Sequence, residues 1–370
     1  MSGNIQFVDL KKQYKPLKEE IMAGFSQVLE SMYLFLGENV KAFEKEFSEF
    51  CGVKHGIGVS DGTSALHVIL RALDIGQGDE VITPVNTFIA TAEAIALAGA
   101  KPVLVDIDPQ TYLMDLDQVE DQISPRTKAI MPVHLYGQMV NMEKLRQIAD
   151  ANGLRIIEDA CQAHGAEFAG KQAASYGDAA AYSFYFSKNL GAYGEAGFIT
   201  TNDDEIARKA RMIRDHGSEH KYQHELIGMN SRLDELQAVV LRAKLKHLAD
   251  WNEARRSHAA LYSQLFDPTM VSPPIEVSNA KHVYHLYVIR ASNRDDLQKY
   301  LKEHGIFTGI HYPIPIHQQQ AFAWLGYQTG DFPETEQAVT EILSLPMFAE
   351  LSEEEIERIV NTIHDFYKSK

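Results

Sequence analysis

The chain predicts an α/β fold, with a large, mostly parallel sheet domain and a smaller C-terminal α/β domain. Three observations lead there. Its 370 residues exceed what one small domain needs. Its first two-thirds alternates short β-branched runs with amphipathic segments, the pattern of strand–helix–strand repetition with right-handed crossovers. The strand candidates are apolar with little polar alternation, as in a sheet covered on both faces.

Taken in order, HGIGVS (55–60) reads as a strand and SALHVILRAL (64–73) as a helix. EVITP (80–84) is a strand, and ATAEAIALAG (90–99) a helix of small residues. PVLVDI (102–107) and TKAIMPVHLY (127–136) are strands with a helix between them, and 142–151 is helical. RIIEDA (155–160), AAAYSF (179–184) and GFITTN (197–202) complete the strands of the large unit. A long helical stretch covers roughly 231–266, and HVYHLYVIRA (282–291) leads a second unit. Ser352 and Glu355 have capping-box spacing, followed by the stripe Ile356, Ile359, Val360 and Ile363. The division expected is 1–249, with an N-terminal arm, and 250–370.

Composition excludes several classes. Lys+Arg 35 against Asp+Glu 51 leaves a formal net charge of −16, which repels a phosphate backbone and argues against nucleic acid as a partner. No apolar run reaches roughly 18 residues, so no membrane span is expected. The start, MSGNIQFVDLKK, is charged and lacks an apolar secretion core. Cys51 and Cys161 are too few for a disulfide framework or a cysteine zinc site. His216, His220 and His224 have helix-face spacing, but Gly217 interrupts them and no HExxH accompanies them, so no metal site is expected. A reduced, cytoplasmic protein is the expectation.

Any phosphate must therefore be held by local features. Ser60–Ser64 links a strand to a helix, Gly62 permits a tight turn, and the first helical amides there point outward unpaired. The segment is neither GxGxxG nor GxxxxGK[ST], and it also reads as an ordinary cap made by Thr63 or Ser64. Lys188 follows the aromatic run Ser183–Phe186 and precedes the glycine-rich GAYGEAG. A lysine in an apolar pocket loses its charge easily and can attack a carbonyl; the alternative is a lysine that snorkels to the surface. Asp159 ends an apolar strand, the edge where ligands of open α/β sheets bind. It could hold a pyridine nitrogen protonated, or cap the next helix. Glu158 should point to the other side. A Schiff-base lysine with an acid partner is what pyridoxal phosphate needs to act as an electron sink. His134 lies at a strand end, near this site or as a structural histidine.

DGTSAL (61–66), TPVNTFIAT (83–91), EDACQAHGA (158–166), YSFYFSKNLGAYGEAG (182–197), MNSRLDELQA (229–238) and IHYPIPIH (310–317) occur in an order that resembles the DegT/DnrJ/EryC1/StrS family of nucleotide-sugar aminotransferases. The resemblance spans nearly the whole chain. It implies fold type I, as in aspartate aminotransferase, and pyridoxal 5′-phosphate cycling through pyridoxamine 5′-phosphate. Lys188 would bond the cofactor and move the proton, Asp159 would pair with the ring nitrogen, and Gln162 would bond the phenolic oxygen. Phe88 would stack on the ring; Gly62, Thr63 and Ser183 would hold the phosphate. Asn230 would reach the neighbouring subunit's cofactor phosphate, making a homodimer with shared sites. His311 and Tyr312 would line the substrate, and Arg232 would contact an anionic group of it. The reaction implied moves an amine, from glutamate, to a keto group of a nucleoside-diphosphate sugar, with 3-keto favoured over 4-keto. A sugar dehydratase with the same cofactor is an alternative, but relatives of that kind carry histidine in place of the lysine. A non-catalytic regulatory protein on the same fold is another. Two residues depart from the family pattern: Cys161, where alanine is common, and Phe186, where proline is frequent.

Overall fold

A computed structural model describes residues 3–220 and 222–369. In chain order its strands are β1 (His55–Val59), β2 (Glu80–Pro84), β3 (Lys101–Val105), β4 (Thr127–Ile130), β5 (Arg155–Asp159), β6 (Glu167–Phe168) and β7 (Ala179–Ser183). There follow β8 (Gly197–Thr201), β9 (Ser218–His220), β10 (Gln223–His224), β11 (Val271–Ser272), β12 (Ala280–Lys281), β13 (Tyr287–Ala291) and β14 (Ile342–Leu345). The helices are α1 (Leu10–Ser31), α2 (Glu38–Cys51), α3 (Gly62–Ala72), α4 (Ile89–Leu97), α5 (Met142–Asn152) and α6 (Asp204–Arg214). The rest are α7 (Glu235–Leu245), α8 (Leu248–Leu265), α9 (Arg294–Glu303), α10 (Pro333–Glu341) and α11 (Glu353–Lys368).

Seven strands form one sheet in the order β1-β8-β7-β5-β4-β2-β3. All pairings from β7 to β3 are parallel, whereas β8 is antiparallel to both β1 and β7. The carboxyl ends of β1, β5 and β7 therefore share one edge with the start of β8. That edge is where an α/β sheet presents its ligand crevice. Alternate residues of each strand feed opposite cores. Ile156, Tyr182 and Phe198 join Phe43, Phe47 and Phe184 on one face. Ile157, Ala181 and Ile199 join Leu66, Ile69 and Ile213 on the other. Burial on both faces explains the apolar, non-alternating strands.

A third core gathers Tyr262, Tyr287, Leu297, Ile356, Ile359 and Ile363 around the antiparallel sheet β11-β13-β14. The capping box forms at α11, where the Ser352 side chain accepts from Glu355 N and Glu355 reaches back to Ser352 N. A strap ahead of α1 docks on this unit. Ile5 makes a parallel bridge to Ile306 and Arg358 donates to the Gly3 carbonyl at 2.7 Å, while from the first turn of α1 Lys12 pairs with Glu355 at 3.1 Å.

Several sequence expectations are corrected. The segment between β3 and β4 holds only a 3₁₀ turn, Glu120–Gln122, in place of a helix. Asp108 and Asp115 there accept hydrogen bonds from nearby amides and compete with helical pairing. Strand β4 stops before Pro132, which has no N–H for a ladder. The stretch 231–266 is two helices that part at Lys246 and His247. Strand β13 begins at Tyr287, later than 282. His220 and His224 lie on the β9–β10 hairpin, and His216 with Gly217 takes positive φ ahead of it, so no helix face exists there. The sequence expectations include neither α1 nor α2.

Candidate active site

A cavity of about 640 Å³ opens at the shared sheet edge. Gly62, Thr63, Phe88, Asp159, Gln162, Ser183, Lys188, His311 and Tyr312 all line it; Asn230 and Arg232 do not.

Lys188 is placed by the crossover from β7 to β8. Phe184 N donates to Ala196 O and Ala192 N to Phe184 O, closing a loop within which Lys188 N donates to Tyr185 O at 2.8 Å. Gly191 is required, because a Cβ there would overlap the Phe186 carbonyl. The fully buried Lys244 donates to Gly191 O at 2.6 Å, and Gln237 accepts from Tyr193 N at 2.9 Å, so α7 clasps the loop from behind. The Lys188 amine itself makes no hydrogen bond or ion pair with any described residue. Burial lowers its pKa below the ordinary lysine value, and the nearby Cys161 and Asp159 oppose that shift without cancelling it.

Asp159 closes β5 and is nearly buried. Thr91 Oγ1 donates to its Oδ2 at 2.7 Å, and Cys161 N to its Oδ1 at 3.2 Å. Glu158 points the other way, as strand alternation requires. It accepts from Ala174 N and Gly177 N and meets His134 Nε2 at 2.8 Å, which makes His134 a buried structural residue outside the cavity.

At the opposite end, Asp61 caps α3 and not Thr63 or Ser64: its Oδ1 accepts from Ser64 N at 2.7 Å. That leaves the Gly62 and Thr63 amides, in the first turn, without intrahelical partners. A Cβ at Gly62 would sit 2.7 Å from Ser183 Cβ and 2.9 Å from Cys161 Sγ, so this cradle admits only glycine. Gln162 is held between Tyr136 N at 2.8 Å and the Tyr312 hydroxyl at 3.1 Å. Tyr136 also donates its hydroxyl proton to the His311 carbonyl. Phe88 is half-exposed and tilts against Tyr312 at 5.4 Å. Phe7, from the N-terminal strap, stacks on His311 at 5.6 Å and lines the cavity; the sequence offered no periodic signal for it.

Asn230 is exposed and pairs through its backbone with Asp215. Arg232 bonds Asp215 at 3.1 Å and lies 4.3 Å over the Phe35 ring. Between them, Ser231 bonds Ser60 at 2.9 Å, so this loop abuts the phosphate-type turn from outside.

Among the described residues, Lys188 is the sole lysine or arginine on the cavity wall, beside the acids Asp61, Asp159 and Glu195. His311 is pulled down to about 4 and His285 well below the usual range, in each case first by burial and then by Lys188. An anion there depends on amides and hydroxyls. An unbonded amine, an acid across from it and a glycine cradle at a helix start form a set that fits pyridoxal phosphate. No cluster of three or more metal-ligating side chains occurs among the described residues.

The buried histidines set an acid limit on stability. Burial brings both His164 and His282 down to about 3, and His282 Nδ1 accepts from Tyr284 N, a bond the protonated ring cannot keep. Between about pH 6.5 and 3 the unfolded chain binds these protons and the folded chain does not. Stability is therefore full above the unfolded value and falls on acidification, by up to about 1.4 kcal/mol per pH unit for each ring. Urea midpoints should hold from pH 7.5 to about 6.5 and decline from there to pH 5, and His282→Asn should make the decline shallower.

A family model described as the DegT/DnrJ/EryC1/StrS aminotransferase family matches residues 15–364. A Geobacillus stearothermophilus protein named as a pleiotropic regulatory protein is 51% identical over 99% of both chains. The UDP-N-acetyl-3-dehydro-α-D-glucosamine 3-aminotransferase of Acidithiobacillus ferrooxidans is 46% identical over 97% of both. Among solved structures, Streptomyces venezuelae DesV in complex with a ketimine intermediate superposes with a TM-score of 0.96 at 41% identity, covering 99% of both chains. The expected type I fold is borne out by that likeness. With the lysine, the acid and the glycine cradle at one sheet edge and a family model spanning nearly the full length, the chain belongs to the DegT/DnrJ/EryC1/StrS aminotransferase family.

Proposed function

We propose that the chain transfers an amino group from glutamate to the C3 keto carbon of a nucleoside-diphosphate sugar. The chain is a nucleotide-sugar aminotransferase that uses pyridoxal 5′-phosphate. The observation that carries the reading is the free amine of Lys188 facing the same cavity as Asp159. The C3 preference draws on the name of the Acidithiobacillus relative.

Bound pyridoxal phosphate supplies an aldehyde for amines and a ring that withdraws electrons from the adjacent carbon. Lys188 would be the residue to hold that aldehyde, and its amine would hold and return the proton at the reacting carbon. Asp159 would keep the ring nitrogen protonated, Gln162 would bond the phenolic oxygen, and Phe88 would cover the ring face. The Gly62 and Thr63 amides and the Ser183 hydroxyl would hold the phosphate. His311 and Tyr312, with Phe7 behind them, form the sugar-side wall. The division near residue 250 gives the cavity one wall from each unit, since His285, His311 and Tyr312 come from the second.

With one lysine or arginine among the described residues of its wall, the cavity is poorly furnished for a cofactor phosphate and a diphosphate together. Asn230 and Arg232 do not line the cavity of their own chain, and Arg232 lies over the ring of exposed Phe35, which follows exposed Tyr33 and Leu34. We read them as contributions to the site of a second copy in a symmetric dimer.

The test is a panel of 3-keto and 4-keto nucleotide sugars, incubated with the holoenzyme and glutamate and read by mass spectrometry. Amination of 3-keto substrates is the expected result. Amination of 4-keto substrates alone overturns the C3 assignment, and dehydration products without amination favour the dehydratase.

A further inference from the structure

Asp159 does not stand alone. Thr91, in the first turn of α4, is fully buried and donates its hydroxyl proton to Asp159 Oδ2 at 2.7 Å. Thr87 Oγ1 lies 2.7 Å from Thr91 Oγ1, and Thr87 lines the cavity. A carboxylate can only accept, and a hydroxyl has one proton to give. Thr91 therefore spends its proton on Asp159 and must accept from Thr87. The relay has one direction, Thr87 to Thr91 to Asp159.

A carboxyl group at the end of a strand turns about a soft terminal torsion. Here one oxygen is held by the Cys161 amide at a long 3.2 Å, and the short bond comes from Thr91. Thr91 is well suited to fix it. Its χ1 is stiff, its helix turn is anchored by Thr91 N donating to Phe88 O at 3.2 Å, and Thr87 polarises its hydroxyl from behind. We propose that Thr91, backed by Thr87, is a positioning residue that orients the Asp159 carboxylate toward the ring nitrogen of the cofactor. This rests on reading Asp159 as the partner of that nitrogen.

The experiment measures the apparent dissociation constants of two ligands for the full-length apoprotein. One is pyridoxal phosphate; the other is its 1-deaza analogue, in which CH replaces the ring nitrogen. Thr91→Val removes the hydroxyl and keeps the side-chain shape. It should weaken pyridoxal phosphate about tenfold, the scale of one lost hydrogen bond to a charged group, and leave the analogue unchanged. Thr91→Ser restores the donor and should return affinity to within about twofold. Thr87→Val cuts the first link only and should cost about threefold with the same selectivity, and it serves as the test if Thr91→Val does not fold. Equal losses for both ligands would mean a packing defect and overturn the proposal, as would undiminished affinity for pyridoxal phosphate. If the unaltered protein holds the two ligands equally well, the nitrogen-pairing role of Asp159 fails, and the proposal falls with it.

Discussion

Lys188→Ala lowers transamination by about 10³-fold or more, because it removes both the covalent anchor and the group that carries the proton. The fold should survive, since the Lys188 amine has no partner among the described residues to lose. Removing it also relieves the cost of a lysine whose charge burial disfavours. The visible absorption of the lysine-bound cofactor should vanish while the melting temperature of the apoprotein holds or rises. Amine formation, followed by mass spectrometry, should fall to background. A variant that still turns over would remove the basis of the functional reading. A phenotype that persists in cells without turnover would favour the regulatory role suggested by the name of the Geobacillus relative.

Gly197→Ala should be severely destabilising for the addition of a single methyl. Gly197 opens β8, and a Cβ there would overlap the carbonyl carbon and oxygen of Asp61. Those atoms are backbone and cannot swing aside. Asp61 is also the cap of α3, so displacing it disturbs the turn that presents Gly62 and Thr63. The cost should be about 3 kcal/mol, the upper end for overpacking, with loss of cofactor retention alongside. Urea unfolding and gel filtration of the loaded protein would measure both. Gly3→Ala is the control, with nothing within 4 Å of its added methyl. Equal midpoints for the two variants would contradict the packing at this turn.

The catalytic edge was legible because its residues break local expectation. Lys188 follows buried aromatics, Asp159 ends an apolar strand and Gly62 follows another, and each stands out against its neighbours. Thr91 was not legible in this way. Among the small residues of α4 it reads as filler, and only the fold brings it to Asp159. The cap of α3 is Asp61 and not Thr63 or Ser64, since all three polar side chains around Gly62 suit the role and only the backbone geometry chooses. The break between α7 and α8 carries neither glycine nor proline, so periodicity ran through it. Phe7 lies in an arm whose position is set by contacts with residues from the far end of the chain, which no local window reports.

Those strap contacts bear on how the protein is made. Ile5 leaves the ribosome roughly 300 residues before Ile306, and Arg358, which holds Gly3, comes later still. At elongation rates of about 5–20 residues per second, the strap waits about 15 s or longer for its docking partners to be translated. Phe7 can complete its wall only after that wait, so a nascent chain carrying the whole large sheet still has an open cavity.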